Sequence, residues 1–204
     1  MKRTLYLLSI VLTLCTQAVM AQNSAQAYKA IEKTAKAISS TGGSSASFTL
    51  SSAETGTVNG TITIKGNKFH ATTSQAIVWY DGSNQWTLVK RNNEVNISRP
   101  TQAQQQTMNP YTFINLYKQG YNLSLTTKGS NNVVHLVAKN KTQSIQEMYV
   151  TASKSTGIPS VIKMKHRQKW TTITIRNFRT GNYSNSTFTF NAKDFPTAEV
   201  IDLR

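Results

Sequence analysis

The sequence predicts an α+β protein that is mainly β: a strongly curved antiparallel sheet or incomplete barrel with helices packed in its mouth. Three observations carry this expectation. About twelve short runs rich in Thr, Val, Ile and aromatic residues are separated by turn residues. The short links between them join neighbours that run in opposite directions. A sheet of that many strands curls rather than staying flat. At 204 residues and 38% apolar composition, the chain is long enough for one domain with a real core.

The N-terminus reads as an export signal. Lys2 and Arg3 form a charged start, Leu5 to Leu14 an apolar stretch, and Val19-Met20-Ala21 a small-residue cleavage site, so that residues 1–21 are removed and residues 22–204 form one mature domain. The alternative, a retained anchor helix, is disfavoured by an apolar run shorter than the roughly 20 residues a bilayer requires. The single cysteine, Cys15, lies inside the signal after Leu14, where a lipidation signal needs a small residue. The mature chain then has no thiol, and therefore no disulfide or thiolate metal site.

Removing Lys2 and Arg3 from 23 basic residues leaves 21 against 8 acidic ones, a net charge of +13. Such a surface either serves general solubility or draws anionic partners such as acidic headgroups or acidic polysaccharide. Nucleic acid is not expected: the chain is exported, the charges are spread over many segments, and no recognition motif is present.

Ser24 to Ser39 is rich in alanine and places Tyr28, Ile31, Ala35 and Ile38 on one face at helical spacing, with Lys29, Glu32, Lys33 and Lys36 polar. Thr41-Gly42-Gly43-Ser44-Ser45 ends this helix. Strands are then expected at Ala46 to Ser51, Val58 to Lys65, Lys68 to Thr73, Ile77 to Tyr80, Trp86 to Lys90 and Glu94 to Ser98. Alternation puts Ile62 with Ile64, Phe69 with Ala71, and Ile77 with Trp79 on common faces, while Thr61, Thr63, His70 and Thr72 fall opposite. The sheet is thus half-solvated, and its apolar face needs a lid. Between the fourth and fifth strands, Asp81-Gly82-Ser83-Asn84 is a hairpin turn flanked by Trp79 and Trp86.

A second helix is expected from Asn109-Pro110 to Gly120, with Phe113, Ile114 and Tyr117 on one face. Thr101 to Met108 before it reads as a polar loop or a weak helix. Strands resume at Tyr121 to Thr126, Val133 to Lys139, Gln146 to Ala152, Val161 to Arg167, Trp170 to Phe178 and Ser186 to Asn191.

Several of these stretches together resemble the periplasmic outer-membrane lipoprotein carrier family, the LolA-like proteins. They are the glycine-led strand and K-F around Gly60 to Phe69, the V-W-Y-D-G-S-N-Q-W hairpin, the N-P-Y before the middle helix, and the tail S-T-F-T-F-N-A-K-D-F-P-T-A-E-V-I-D-L-R. The resemblance implies an unclosed half-barrel whose concave face is covered by helices and encloses an apolar cavity for lipoprotein acyl chains. It implies a periplasmic monomer that takes acylated lipoproteins from an inner-membrane ABC lipoprotein-release complex to an outer-membrane acceptor. Because each buried methylene is worth about 0.8 kcal/mol, an acyl chain of about sixteen carbons costs on the order of 12 kcal/mol to expose.

The residues expected to line that cavity are Phe69, Ile77, Trp79, Trp86 and Leu88 from the hairpin region and Phe113, Ile114 and Tyr117 from the lid. Met148, Met164 and Trp170 are weaker candidates. Many family members latch the lid through an arginine just before the K-F strand. This chain has Lys65-Gly66-Asn67-Lys68 there, and lysine lacks the planar five-donor fork.

No enzyme is expected and no cofactor or metal is implied. His70, His135 and His166 sit on three separate strands without metal-ligand spacing, and no G-x-S-x-G elbow occurs. Two scattered carboxylates can still meet across a sheet. Alternation places Lys163, Lys165 and Arg167 on one strand face, as an anionic docking stripe or as a solvated face that discourages edge aggregation. The carrier reading has one alternative on the same scaffold: an envelope lipid-binding or sensor module that does not shuttle its ligand.

Overall fold

The computed structural model describes residues 22–101, 104, 116–118 and 120–204. Helix α1 occupies residues 22–38. Six strands follow: β1 (Ser44–Ser52), β2 (Gly56–Lys65), β3 (Lys68–Thr73), β4 (Ala76–Tyr80), β5 (Gln85–Val89) and β6 (Glu94–Ser98). After a short helical turn at Leu116–Lys118 come β7 (Tyr121–Lys128), β8 (Asn131–Ala138), β9 (Ile145–Ser153), β10 (Pro159–His166), β11 (Lys169–Thr180) and β12 (Glu199–Asp202).

All twelve belong to one curved, unclosed sheet, in the order β12-β6-β5-β4-β3-β2-β1-β11-β10-β9-β8-β7. The runs β1–β6 and β7–β11 are each an antiparallel meander, as their short links require. They meet where β1 pairs with β11, from Ser44 opposite Thr180 to Ser52 opposite Thr171. The register shifts between Ser45 and Ser47, where Asn177 on β11 takes a φ of 53°. An extra residue of this kind bends a strand and sharpens its twist, which favours curvature at the seam.

The end of the chain departs from the expected pattern. Ser186 to Asn191 is not a strand: Asn185–Phe188 forms a short helical turn that sinks Phe188 completely. The twelfth strand is β12, which lies parallel to β6 at the sheet edge. Phe188 and Phe190 alternate as a strand's residues would, but they anchor a covering segment. Of the expected middle helix only Leu116–Lys118 is described; Phe113 and Ile114 lie outside the described residues.

Helix α1 crosses the inner face of the sheet. Its buried stripe is Ala27, Ile31, Thr34 and Ile38, one residue round from the expected one, and Tyr28 is 39% exposed, with its ring edge-on to Tyr117 at 6.1 Å. Ala27 and Ile31 pack among Leu123, Leu136, Met148 and Met164 of the β7–β10 half. Ile38 packs on Ile64, Phe69 and Tyr80 of the other half. The eleven residue steps from Ala27 to Ile38 rise about 16 Å, enough for one helix to grip both halves.

Tyr121 is buried in the first of these clusters, where its hydroxyl donates to the Ile145 carbonyl at 2.6 Å. Burial pushes its pKa up to about 12. Since the folded value exceeds the unfolded one near 10, this stability is complete below pH 10 and is lost as pH rises through 12. Tyr121→Phe should lower stability by about 1 kcal/mol at neutral pH. It should also remove the last tyrosinate absorbance step in an alkaline titration; retention of that step would refute the assignment.

Candidate functional site

Beyond the C-terminal end of α1, the inner face around the β1–β11 seam leaves an apolar cavity of about 450 Å³. Its wall is laid down strand by strand by alternation: Ala46, Phe48 and Leu50 on β1, Ile62 and Ile64 on β2, Ala71 on β3, Ile162 and Met164 on β10, and Ile173, Ile175 and Phe178 on β11. Ile38 of α1 closes one end. Gly60 helps shape the floor, because a Cβ there would lie 2.5 Å from Cζ of Phe48 and 2.5 Å from the Thr72 carbonyl oxygen. The missing side chain lets the Phe48 ring lie across β2.

Polar groups gather at the opposite end from Ile38. Ser52, Glu54, Thr55, His166 and Thr171 line this end, Ser44 and Ser45 also line the wall near Ile38, and among the lining residues only Glu54 and Thr55 are exposed. This end is the mouth. Glu54, in the β1–β2 turn, pairs with Lys169 at the start of β11. The Lys169 hydrogen bond and charge hold the Glu54 carboxyl below the usual glutamate range. His166 Nδ1 donates to the Ser144 carbonyl at 2.7 Å, which fixes its ring at the rim. The chamber therefore offers an apolar interior and a polar, partly charged entrance, and its volume lies within the range of pockets that bind small molecules.

Of the hairpin and lid residues expected to line a cavity, those that are described lie elsewhere. Phe69 is on the inner face but is packed solid against Ile38, Ile64 and Tyr80. Ile77, Trp79, Trp86 and Leu88 are brought together as expected, but on the outer face, where Trp79 and Leu88 join Val95 under Phe190, Phe195 and Ala198. The cause is register. Phe69 pairs with Tyr80 and His70 with Trp79 across the two-residue link, so Phe69 and Ala71 share their face with Tyr80 and Val78. His70 accordingly stacks on Trp79 at 5.5 Å, and Trp79 meets Phe190 and Phe195 edge-on, each at 5.5 Å. Tyr117 is buried in the α1 cluster rather than in the cavity wall. Met164 does line the cavity; Met148 lies beside it in the core.

The hairpin itself forms as expected. Asp81 Oδ1 accepts from the backbone N–H groups of Ser83 and Asn84 at 2.8 and 2.7 Å, and Gly82 sits at a φ of 102°. Neither lysine at the expected latch position holds α1. Lys65 Nζ donates to the Tyr183 carbonyl at 2.6 Å and Lys68 Nζ to Asn185 Oδ1 at 3.2 Å, so both fasten the C-terminal segment. Lys163 and Lys165 share the outer face of β10, whereas Arg167 is in the turn after it. Among the described residues, no group of three or more His, Cys, Asp or Glu side chains is placed to hold a metal ion.

Residues 17–168 match the family described as outer membrane lipoprotein carrier protein LolA. The chain belongs to that family. LolA-family proteins are thus the frame for its curved sheet and covered apolar face. The fold is similar to that of an uncharacterized conserved protein from Thermus thermophilus, with TM-score 0.59 and 11% identity over 87% of this chain and 99% of that one. It is also similar to a LolA superfamily protein from Nitrosomonas europaea, with TM-score 0.46 and 9% identity over 80% of this chain and 97% of that one. LprF from Mycobacterium bovis matches with TM-score 0.46 and 9% identity over 80% of this chain and 98% of that one. No curated protein matches the chain. Among the described residues, no helix is long and apolar enough to cross a membrane.

The placement of Trp79 makes it a structural anchor of the C-terminal segment. Trp79→Ala should cost about 3–5 kcal/mol, as for other buried aromatics. Denaturant unfolding measures this, and an unchanged midpoint would contradict the packing assigned here.

Proposed function

We propose that this LolA-family chain is a periplasmic carrier that shields the acyl chains of lipoproteins in the cavity at the β1–β11 seam and transports them from the inner to the outer membrane. The observation that carries the reading is the cavity itself: an apolar chamber with a polar mouth on the inner face of the sheet. A carrier of long alkyl groups needs both features. The interior offsets the hydrophobic cost of exposure, and the mouth leaves the polar part of the cargo in water. In this reading the cargo is received from an inner-membrane ABC release complex and passed to an outer-membrane acceptor, the carrier acting as a monomer and catalysing no reaction.

The test is cargo release. Mature protein is incubated with spheroplasts holding newly made lipoproteins, and the soluble fraction is examined for a lipoprotein bound to it. Ala46→Trp, which fills the chamber without burying a charge, should lower release at least tenfold while the circular dichroism and thermal midpoint stay near wild type. Release by the wild-type protein with no loss in Ala46→Trp would move cargo binding away from this cavity. No release by a folded wild-type protein would sink the carrier reading itself.

A further inference from the structure

The outer face of the sheet, on the far side of the same strand ends that form the cavity mouth, carries an aromatic and cationic cluster that the carrier reading does not use. Trp170 of β11 is 37% exposed. The ammonium groups of Lys163 and Lys165 lie 5.5 and 5.9 Å from its ring centroid, and the Tyr149 ring is 6.0 Å away. These side chains project from adjacent strands because Lys165 pairs with Trp170 across β10 and β11, while Lys163 pairs with Tyr149 across β10 and β9.

The turn between β10 and β11 extends the cluster to the sheet's end. It has two residues, Arg167 and Gln168, with φ values of 46° and 67°. Mirror-image hairpin turns require positive φ at both central positions and normally use Asn-Gly or Gly-rich pairs for that reason. Here a conformation disfavoured for a long side chain holds an exposed arginine at the tip.

The charge near this tip is unbalanced. Glu54 is taken up by Lys169, and Glu147 Oε1 is bonded by the Tyr149 hydroxyl and by His135 Nε2, both at 2.9 Å. Lys163, Lys165 and Arg167 form no ion pair among the described residues. Lys165 lies opposite Glu147 on β9 and Arg167 near enough to Glu54 to feel its charge, yet Lys163, Lys165, Arg167 and Lys169 outnumber these two acids, so the patch is a tryptophan set among excess cations.

We propose that Trp170, Lys163, Lys165 and Arg167 form a docking surface for an anionic lipid bilayer, which brings the cavity mouth down to the membrane. Two arguments select a bilayer over an acidic protein. Lysine is depleted from the centre of protein interfaces, yet each lysine near an acidic leaflet contributes about 1 kcal/mol. Tryptophan is also the side chain that settles at the headgroup level, with its indole N–H in the wet layer. Thr171, the residue after Trp170, lines the mouth, so a tip resting on headgroups leaves the entrance at the bilayer surface. Docking does not depend on what the cavity holds.

Co-sedimentation of the mature, cargo-free protein with vesicles tests this. It should bind vesicles of phosphatidylglycerol and phosphatidylcholine at low salt, but not phosphatidylcholine alone. The double variant Lys163→Gln, Lys165→Gln should lose affinity on the order of thirtyfold. The tryptophan emission should shift blue on binding in the wild type but not in Trp170→Phe. A control pair on other exposed surfaces, Lys29→Gln with Lys193→Gln, should bind as wild type does. Equal binding to neutral vesicles, equal loss in the control pair, or no vesicle binding would overturn the proposal. Equally tight binding to soluble polyglutamate would also overturn it, by assigning the patch to an acidic chain. Cargo release, scored separately, distinguishes failure here from failure of the carrier reading.

Discussion

The pairing of β1 with β11 is the contact on which the rest of the structure depends. Each meander can form from local links alone, but a free half would leave one apolar face and two edges in water. Joining Ser44–Ser52 to the strand at Lys169–Thr180 makes one continuous inner face wide enough for α1 to span. It also puts Phe48 and Leu50 beside Ile173 and Ile175, the neighbours that make the cavity wall. The chamber is a product of the seam, and neither half contains it.

The two faces of the sheet divide their tasks unevenly along its width. Near the seam the inner face is apolar and partly open, while the outer face carries Ser47, Thr49, Thr61 and Thr174. Toward β5 the arrangement reverses: Gln85 and Thr87 look inward and Trp86, Leu88 and Val95 look outward. The C-terminal segment covers this reversed patch with Phe190 and Phe195, held in place by Lys65 and Lys68. A protein of this shape has two cores on opposite sides of one sheet, and the inner one borders the open chamber.

Element type was legible in the chain because period-two alternation and turn residues mark strands directly, and eleven of the twelve strands fall where the pattern places them. Sidedness was not. Phe69 and Trp79 look equivalent in sequence, and only the two-residue link at Ser74 and Gln75, which pairs odd residues with even ones, separates them. The cavity wall was equally hidden, since Phe48, Ile173 and Ile175 sit in ordinary Thr-rich strands more than a hundred residues apart. Gly60 offered one cue, a glycine inside a strand, which often marks a close approach by another group. Ser186 to Asn191 misled for a simpler reason: its alternation is real, but its partner surface is the back of another sheet strand and not a strand edge.

The seam and the edge strand together set an order on how the chain can become this structure. Its first strand waits for its eleventh, and β6 keeps an unpaired edge until β12, made of the residues just before the C-terminus, arrives. A chain that emerges from its N-terminus therefore cannot complete its sheet until β12 is out. Such non-local pairing slows folding. The same delay leaves the open edge of β6 needing protection from stray strand pairing over that interval.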